Sequence, residues 1–578
     1  MYGNACKVVF DRKKLFLYVS GEHIIVEADG APVFELTPHS SVEKLSRRGK
    51  PENWPAAQDR DEGDFAFACG EQGGKRVFTW TGKSSNWKKK EYRLECDAKG
   101  FNFFVTVSGK GTVGKIGYFD GARADQPGSR FNFCEYYVPN YNTGSTEPNY
   151  RPSTVPTETY FELLVPPLYC YPFRTPGIKT WLGLGLLAKP GEYNFWQFDF
   201  AVQNARFWLT TDMEGHAAVD GAWEAPYIRL TAGNDEFKVL EAYSQYHYDA
   251  GIAKPYEGVK QHRWWYGPIM CGWCEQSLVP VPADMPYLYG GQHSCGQYVY
   301  ADIARRLEEE RHLKPAFIIV DDKWQDFYGT AHPDPQRWPD MRAWVDQMHA
   351  KGIRVVLWFR LWGGEGLPED ETYTGLGVKG WNKDDDERYA DPTNPKYQAR
   401  LKEILHTLLS HDEGCMDCDG FKLDFAFWMG YGRKVQTYGG QSGVELLHTL
   451  FKQIYDGAKA VKPDALINAS PCHPYFSDLF DQVRLHDCTG QNRDEVMDRR
   501  LRVYDIACPN HSVDTDSCFS GTRYSTMRYI RHSVEIGIPD MYQITDPQGF
   551  ELTKGDWDEI RKIWEDYTRK MDGEFKNA

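Results

Sequence analysis

The segment Cys418-Asp419-Gly420-Phe421-Lys422-Leu423-Asp424-Phe425 contains a short apolar strand that carries two opposite charges. Lys422 and Asp424 have one residue between them, so both side chains point to the same side of the strand. In a parallel barrel, catalytic residues lie at the carboxyl ends of the strands, where the βα loops meet. The segment therefore predicts that Asp424 faces a pocket and that the neighbouring ammonium group keeps it ionised.

Outward from this strand, the second half of the chain alternates between strand-like runs and amphipathic helical segments. The predicted strands are 264–273, 316–321, 353–359, 421–425, 465–469, 482–487, 508–513 and 539–544, and the predicted helices are 297–313, 341–351, 395–409, 443–461, 494–504, 524–536 and 556–571. We interpret this as eight strand–helix units in roughly 300 residues, which predicts a (β/α)8 TIM barrel.

The first part of the chain has a different pattern, with short alternating or apolar runs separated by turn residues. Such runs at close spacing predict an antiparallel β-sandwich. The fold class is therefore a multidomain β plus α/β protein, with an N-terminal antiparallel β-sandwich followed by a (β/α)8 barrel. The predicted divisions are 1–235 for the sandwich, 236–262 for a linker helix region and 263–578 for the catalytic barrel.

Composition narrows the range of partners. The 578 residues carry a formal net charge of −15 at pH 7, which argues against nucleic acid or an anionic membrane as the main partner. A neutral carbohydrate fits better, and the 19 Trp and 35 Tyr offer flat faces for pyranose rings, although aromatic side chains also fill ordinary cores. No apolar run of about 18 residues or signal peptide is visible, and the 14 Cys are scattered, which favours a cytoplasmic protein. Homo-oligomerisation stays open.

Polar residues recur at the ends of six successive predicted strands. These strand ends are 271–274, 321–324, 358–360, 422–424, 468–470 and 484–487. A single Asp after a strand is an ordinary helix N-cap. Six such ends facing one rim predict a polar site at the barrel mouth.

Asp424 and Asp487 are the predicted catalytic pair. They lie two βα units apart, so their side chains are expected to face each other across the barrel mouth. A retaining glycosidase needs two carboxyl groups about 5 Å apart, one to attack the anomeric carbon and one to protonate the leaving oxygen. The acid must keep its proton near neutral pH, which burial or a nearby carboxylate can arrange.

The adjacent Asp321 and Asp322 are predicted to bind sugar hydroxyls. Two neighbouring buried carboxylates need hydrogen-bond donors, and hydroxyls supply them; alternatively, one of the two caps the next helix. Lys422 and Arg484 are expected to offset the negative field and to donate to other hydroxyls. The full predicted substrate-binding set is Asp321, Asp322, Trp324, Lys422, Arg484, Trp273, Trp358, Arg360 and Asn468, in which the three Trp residues form apolar walls.

Three of these strand ends resemble motifs of glycoside hydrolase family 36, the α-galactosidases and raffinose-synthase-like proteins, and more loosely of its clan with families 27 and 31. The matching stretches are 266–274, 319–325 and 422–424. The resemblance implies that Asp424 is the nucleophile, that Asp487 is the acid/base, and that Asp321 and Asp322 bind the O4 and O6 hydroxyls. Lys323 departs from the glycine usual in the family, and Arg360 lies where many members differ.

The expected function is that of a retaining, exo-acting α-glycosidase, most similar to an α-galactosidase, with no metal and no organic cofactor. One alternative is a transglycosylase of the raffinose-synthase type, which would share the catalytic residues. Another is a carbohydrate-binding protein without catalysis. Two Cys-x-x-Cys pairs, Cys271/Cys274 and Cys415/Cys418, have a spacing that zinc sites use, and they remain a minor alternative.

Overall fold

The computed structural model describes residues 5–12, 14–123, 128–131, 135–138, 150–152, 166–204, 206–280, 290–376, 387–488, 493–516, 522–546 and 551–576. Apart from a 3-10 turn at Pro51–Asn53, the regular elements of the described residues up to Gly233 are β-strands. They are β1 (Cys6–Val9), β2 (Leu15–Ser20), β3 (His23–Ala28), β4 (Ala31–Leu36), β5 (Ser41–Leu45), β6 (Ala56–Ala57), β7 (Asp61–Gln72), β8 (Lys75–Ser84), β9 (Lys89–Cys96), β10 (Phe101–Tyr118), β11 (Arg130–Phe131), β12 (Glu135–Tyr137), β13 (Tyr150–Pro152), β14 (Cys170–Arg174), β15 (Trp181–Leu187), β16 (Asp199–Gln203), β17 (Arg206–Glu224) and β18 (Tyr227–Gly233).

These strands form two antiparallel sheets. The smaller sheet has the order β1-β2-β3-β4-β11, and the larger follows β13-β12-β14-β15-β18-β10-β9-β8-β7, with β17 and β5 pairing on β10. Strand β10 pairs with β17 over most of its length, and the register shift between Val113 and Lys115 is a β-bulge. The β-rich N-terminal region is confirmed.

The second half contains the eight-stranded parallel sheet that the sequence predicts. Its strands, with an inserted hairpin β22–β23, are β19 (Ile269–Cys271), β20 (Phe317–Val320), β21 (Arg354–Arg360), β22 (Thr372–Gly375), β23 (Glu387–Ala390), β24 (Gly420–Asp424), β25 (Leu466–Ala469), β26 (Gln482–Arg484), β27 (Ser512–Asp514) and β28 (Asp540–Met541). The strand order is β27-β26-β25-β24-β21-β20-β19-β28, so the barrel has its seam between β27 and β28. Beside this seam the Ile538 N–H donates to the Val513 carbonyl at 2.7 Å. The TIM-barrel prediction is confirmed.

Helices follow most barrel strands. The α-helices of the described residues are α1 (Glu236–Asp249), α2 (Trp273–Leu278), α3 (Gln297–Arg306), α4 (Met341–Ala350), α5 (Pro395–Leu409), α6 (Gly443–Val461), α7 (Arg493–Ala507), α8 (Arg523–Ile536) and α9 (Lys554–Lys576). The expectation of eight full strand–helix units is wrong at β25, which is followed by a 3-10 turn at Pro474–Phe476.

Gly420 allows strand β24 to lie close to β25. Its φ is 151°, and a Cβ atom at this position would lie 2.1 Å from the Leu466 carbonyl oxygen. Only glycine fits such an approach without moving the backbone. The strand that ends in Asp424 is therefore fixed at its start by a glycine.

The sandwich packs beside the carboxyl ends of the barrel strands. The Tyr193 ring stacks on Tyr475 with centroids 4.5 Å apart, and the Tyr193 N–H donates to Glu445 Oε2 at 3.2 Å. The Gly432 N–H, in the segment after β24, donates to Glu214 Oε2 of β17 at 2.9 Å. The sandwich thus supports the loops that border the candidate site. No helix among the described residues is long and apolar enough to span a bilayer.

Candidate active site

The carboxyl ends of β21, β24 and β26 bring several predicted site residues together. Arg360 ends β21, Asp424 ends β24, and these two residues are partners in the parallel register. Arg484 ends β26, two strands away from β24. The site lies where (β/α)8 barrels carry their catalytic residues.

The Asp424 carboxylate is held by three donors. Trp358 Nε1 donates to Oδ2 at 2.9 Å, while Arg484 Nη2 and the Phe425 N–H each donate to Oδ1 at 2.8 Å. His486 Nε2 lies 3.6 Å from Oδ1. Burial opposes the charge, but Arg484 and His486 outweigh it and hold the pKa of Asp424 well below its usual range. Asp424 is therefore ionised at neutral pH.

Asp487 lies three residues beyond Arg484, at the rim. Its side chain is 42% exposed, and Oδ1 lies 3.6 Å from Arg484 Nη1. His486 and Asp487 have φ angles of 60° and 45°, a region that residues other than glycine rarely adopt. The Asp487 N–H donates to Asp516 Oδ2 at 2.7 Å, which holds this bend. The chain turns sharply here, so Arg484 is buried while Asp487 reaches solvent.

Asp516 is a residue of the site that the sequence analysis missed. It is fully buried; Oδ2 accepts from Arg484 Nη1 at 3.0 Å, and Oδ1 accepts from the Tyr542 hydroxyl. Burial opposes its charge, yet Arg484 and Lys422 lower its pKa. The signal was present, because Asp514-Thr515-Asp516 is an acidic strand end like the others.

Asp321 and Lys422 form a buried ion pair. Lys422 Nζ lies 2.8 Å from Asp321 Oδ2 and also donates to the Tyr542 hydroxyl at 3.1 Å. The Cys271 thiol donates to the same Asp321 oxygen at 3.1 Å. Lys422 and Arg484 were predicted to donate to sugar hydroxyls, but both are buried and contact carboxylates instead. Each cation offsets the negative charge of the carboxylate that it contacts inside the barrel.

Asp322 belongs to a short polar chain with its neighbours. The Tyr328 hydroxyl donates to Asp322 Oδ1 at 2.9 Å, and Lys323 Nζ in turn contacts the Tyr328 hydroxyl. Burial, opposed by Lys323, raises the pKa of Asp322 to about 6. Helix capping by Asp322 is not part of this arrangement, since Asp340 caps α4.

Two of the predicted sugar-binding side chains are fully buried and bonded within the barrel. Trp324 is 0% exposed and donates through Nε1 to the Trp358 carbonyl at 2.7 Å. Asn468 is also 0% exposed and donates to Asp514 Oδ2 at 2.8 Å. Trp358 is 1% exposed, so it positions Asp424 instead of forming an open wall. Trp273, at the start of α2, is half-buried.

Two groups of side chains have the spacing of metal ligands within the described residues. They are Asp346, His349 and Asp417, and His486, Asp487 and Asp516. Lys462 already lies 2.8 Å from Asp417, and Arg484 lies 3.0 Å from Asp516. One carboxylate of each group is therefore already paired with a cationic side chain. The Cys-x-x-Cys residues are all free thiols. These contacts favour charge balance by Lys and Arg at both places.

A known family shares part of this barrel. Residues 282–458 match the model of the glycosyl hydrolases family 31 TIM-barrel domain. The matched segment contains Asp321, Asp322, Arg360 and Asp424 and ends before Asp487. The strand motifs had suggested family 36, whereas the matching model is that of family 31, to which the motifs had shown only the looser clan resemblance. No curated protein matches the chain.

Several solved structures share the architecture. A family 31 sulfoquinovosidase from E. rectale has a TM-score of 0.57 at 12% identity, over 96% of this chain and 82% of that one. A cycloalternan-degrading enzyme from Trueperella pyogenes, solved with a covalent intermediate, gives 0.51 at 11% identity over 97% and 83%. An α-galactosidase from Thermus thermophilus in complex with stachyose gives 0.50 at 14% identity over 86% and 99%. At these identities the likeness concerns the fold.

Proposed function

We propose that this protein is a retaining, exo-acting α-glycosidase in which Asp424 is the nucleophile and Asp487 is the acid/base. The observation that carries the proposal is the contact of one guanidinium, that of Arg484, with both carboxyl groups, at 2.8 Å and 3.6 Å. Two carboxyl groups on either side of one guanidinium suit the short separation that double displacement requires. The family 31 match to the surrounding barrel supports the same chemistry.

Asp424 has the properties of a nucleophile. Its pKa is held well below the usual range, so the attacking carboxylate is present at neutral pH. Trp358 and Arg484 fix both of its oxygens, which reduces the reorganisation needed before attack. In the first step one Asp424 oxygen bonds to the anomeric carbon as the bond to the leaving oxygen breaks.

Asp487 has the position of an acid/base. Its carboxyl group is the more exposed of the two, so it can exchange protons with solvent. In the first step it gives a proton to the leaving oxygen. In the second step it takes a proton from water, and that water attacks the anomeric carbon and releases Asp424. Atoms and charge balance over the two steps.

The sugar and the acceptor are the finer parts of the proposal. The strand motifs around Asp322 favour a terminal α-galactoside, while the cycloalternan-degrading neighbour was also solved in complex with isomaltose, so α-glucosides stay open as well. A transglycosylase would use the same residues. Product analysis with an added sugar acceptor separates transfer from hydrolysis.

The test is hydrolysis of nitrophenyl α-galactoside, α-glucoside and α-N-acetylgalactosaminide, followed by NMR to read the anomeric configuration of the first product. We expect retention, and we expect Asp424→Asn to lower kcat at least about 10³-fold. A fluorinated mechanism-based glycoside should add its sugar mass to the peptide that contains Asp424.

The matched control is Asp498→Asn, because Asp498 is an exposed Asp that pairs with His532 on the barrel exterior. Inversion of configuration, or a labelled peptide without Asp424, would contradict the proposed mechanism. A protein that binds sugars but releases no aglycone from any substrate would be the non-catalytic alternative.

A further inference from the structure

Two cations near Asp424 form no ion pair among the described residues. Lys323 directly follows Asp322 at the end of β20, and Arg360 ends β21 in register with Asp424. Both side chains are half-buried. Within the described part of the chain, neither has a carboxylate at ion-pair distance, whereas Lys422 and Arg484 are paired with Asp residues.

Aromatic rings surround the Arg360 guanidinium. Its central carbon lies 4.6 Å from the Tyr328 ring centroid, 5.1 Å from that of Trp428 and 5.8 Å from that of Phe425. Its Nε is buried without a hydrogen-bond partner. Ring faces attract a cation but do not neutralise it or accept its directional hydrogen bonds. The guanidinium is therefore held in one place with donors available.

Lys323 converges on the same ring. Its Nζ donates to the Tyr328 hydroxyl and lies 4.6 Å from the Tyr328 ring centroid, so Tyr328 contacts both cations. Lys323 has a φ of 78°, a conformation that glycine adopts freely and lysine does not. Backbone strain of this kind is concentrated at functional sites.

We propose that Lys323 and Arg360 form an anion subsite, and that the terminal sugar of the substrate carries a carboxylate or a sulfonate. This inference rests on the proposed glycosidase function and names its substrate class. Two cations that both contact Tyr328 can bind one anionic group by charge-assisted hydrogen bonds. In a protein with a net charge of −15, an unpaired pair of cations at the site also favours entry of an anionic substrate at this point.

Matched substrates test the inference. The nitrophenyl α-glucoside is compared with the α-glucuronide and with the 6-deoxy-6-sulfo-α-glucoside, and the α-galactoside with the α-galacturonide. We expect kcat/KM for at least one anionic sugar to exceed that of its neutral counterpart by about tenfold or more. The carboxylate and sulfonate arms show which anion the subsite prefers.

Variants locate the effect. Arg360→Met and Lys323→Met should each lower the anionic-to-neutral ratio of kcat/KM roughly tenfold, and Arg360→Lys should retain more of it than Arg360→Met. Lys314→Met is the control, because Lys314 is an exposed lysine that precedes β20 at the opposite end of the barrel. Added salt should reduce the preference in the wild-type protein.

The outcomes separate the two proposals. If neutral sugars are cleaved with retention at least as well as their anionic counterparts, or if both Met variants keep the ratio, the anion subsite is overturned and the glycosidase stands. If no glycoside is cleaved and Asp424 is not labelled, the glycosidase function fails, and the subsite inference fails with it.

Discussion

Arg484 contacts three carboxylates at the centre of the site. Its terminal nitrogens lie 2.8 Å from Asp424, 3.0 Å from Asp516 and 3.6 Å from Asp487. Burial opposes its charge, yet Asp424 and Asp516 raise the pKa of Arg484 well above its usual range. One cation thus keeps Asp424, the proposed nucleophile, ionised and contacts Asp487, the proposed acid/base.

Replacement of Arg484 tests this electrostatic role. In Arg484→Gln the pKa of Asp424 should rise, because its nearest cation is lost. Asp424 attacks only when ionised, so the acid limb of the kcat/KM profile should move to higher pH. Because the variant leaves buried carboxylates without their cation, we expect its free energy of unfolding to fall by about 3–5 kcal/mol. The assays are therefore run below the Tm of the variant.

Arg531→Gln is the matched control for this variant. Arg531 of α8 pairs with Glu559 of α9 on the exposed surface, with Nε 2.7 Å from Oε1. Its pH profile should coincide with that of the wild type. An unshifted acid limb in folded Arg484→Gln would show that Arg484 does not set the ionisation of the nucleophile.

At the scale of elements, two acidic residues lie at the seam between β27 and β28. Asp514 ends β27 and Asp540 begins β28, and both are fully buried. Burial first, and then Asp514 and Asp516, raise the pKa of Asp540 well above its usual range. The raised pKa favours the protonated form of Asp540, whose carboxyl group interacts with that of Asp514, and the pKa of Asp514 is itself raised to about 6.

This pair predicts a pH dependence of stability. A carboxyl group with a raised folded pKa contributes its full stability below its unfolded pKa, and this contribution is lost as pH rises through the folded pKa. Asp540→Asn keeps a donor toward Asp514 without the ionisable proton. The Tm of the variant relative to the wild type should therefore increase as pH rises from acidic to alkaline.

Thermal unfolding across that pH range is the measurement, with Asp558→Asn as control. Asp558 lies on the exposed face of α9, where it pairs with Arg561 at 2.8 Å. If the Tm difference between Asp540→Asn and the wild type did not change with pH, the raised pKa of Asp540 would be contradicted.

At the scale of the whole molecule, one hydrophobic cluster contains residues of both the sandwich and the barrel. Tyr193 lies at this contact, where its ring stacks on Tyr475 of the barrel. Such a continuous core predicts that the full chain unfolds in one cooperative transition.

Tyr193→Ala should weaken this coupling. Loss of a buried aromatic ring costs about 3–5 kcal/mol, and here the loss falls on the contact between the two regions. We expect a lower Tm and a transition that separates into two in calorimetry. Tyr438→Ala is the control, because Tyr438 is 71% exposed. A single transition of unchanged width in Tyr193→Ala would show that other contacts carry the coupling.

The strand–helix alternation and the acidic strand ends of this protein could be predicted from sequence, because hydrophobic period and chain order are local properties. On this basis the barrel was predicted with its eight strands, and Asp424 and Arg484 fall at the carboxyl ends of β24 and β26. No helix was predicted between strands 465–469 and 482–487, where the structure has a 3-10 turn, so the count of eight full strand–helix units was one too many.

Sequence alone determined which side chains lie at the barrel rim, since every residue that ends a parallel strand shares one edge of the sheet. Only the tertiary structure decided how those side chains turn. In the folded protein Trp324 and Asn468 are buried, and Asp516 contacts Arg484. Lys323 and Arg360 both contact Tyr328. The physical reason is that depth and partners depend on strand tilt, on bends such as that at His486, and on side chains from strands far apart in the chain.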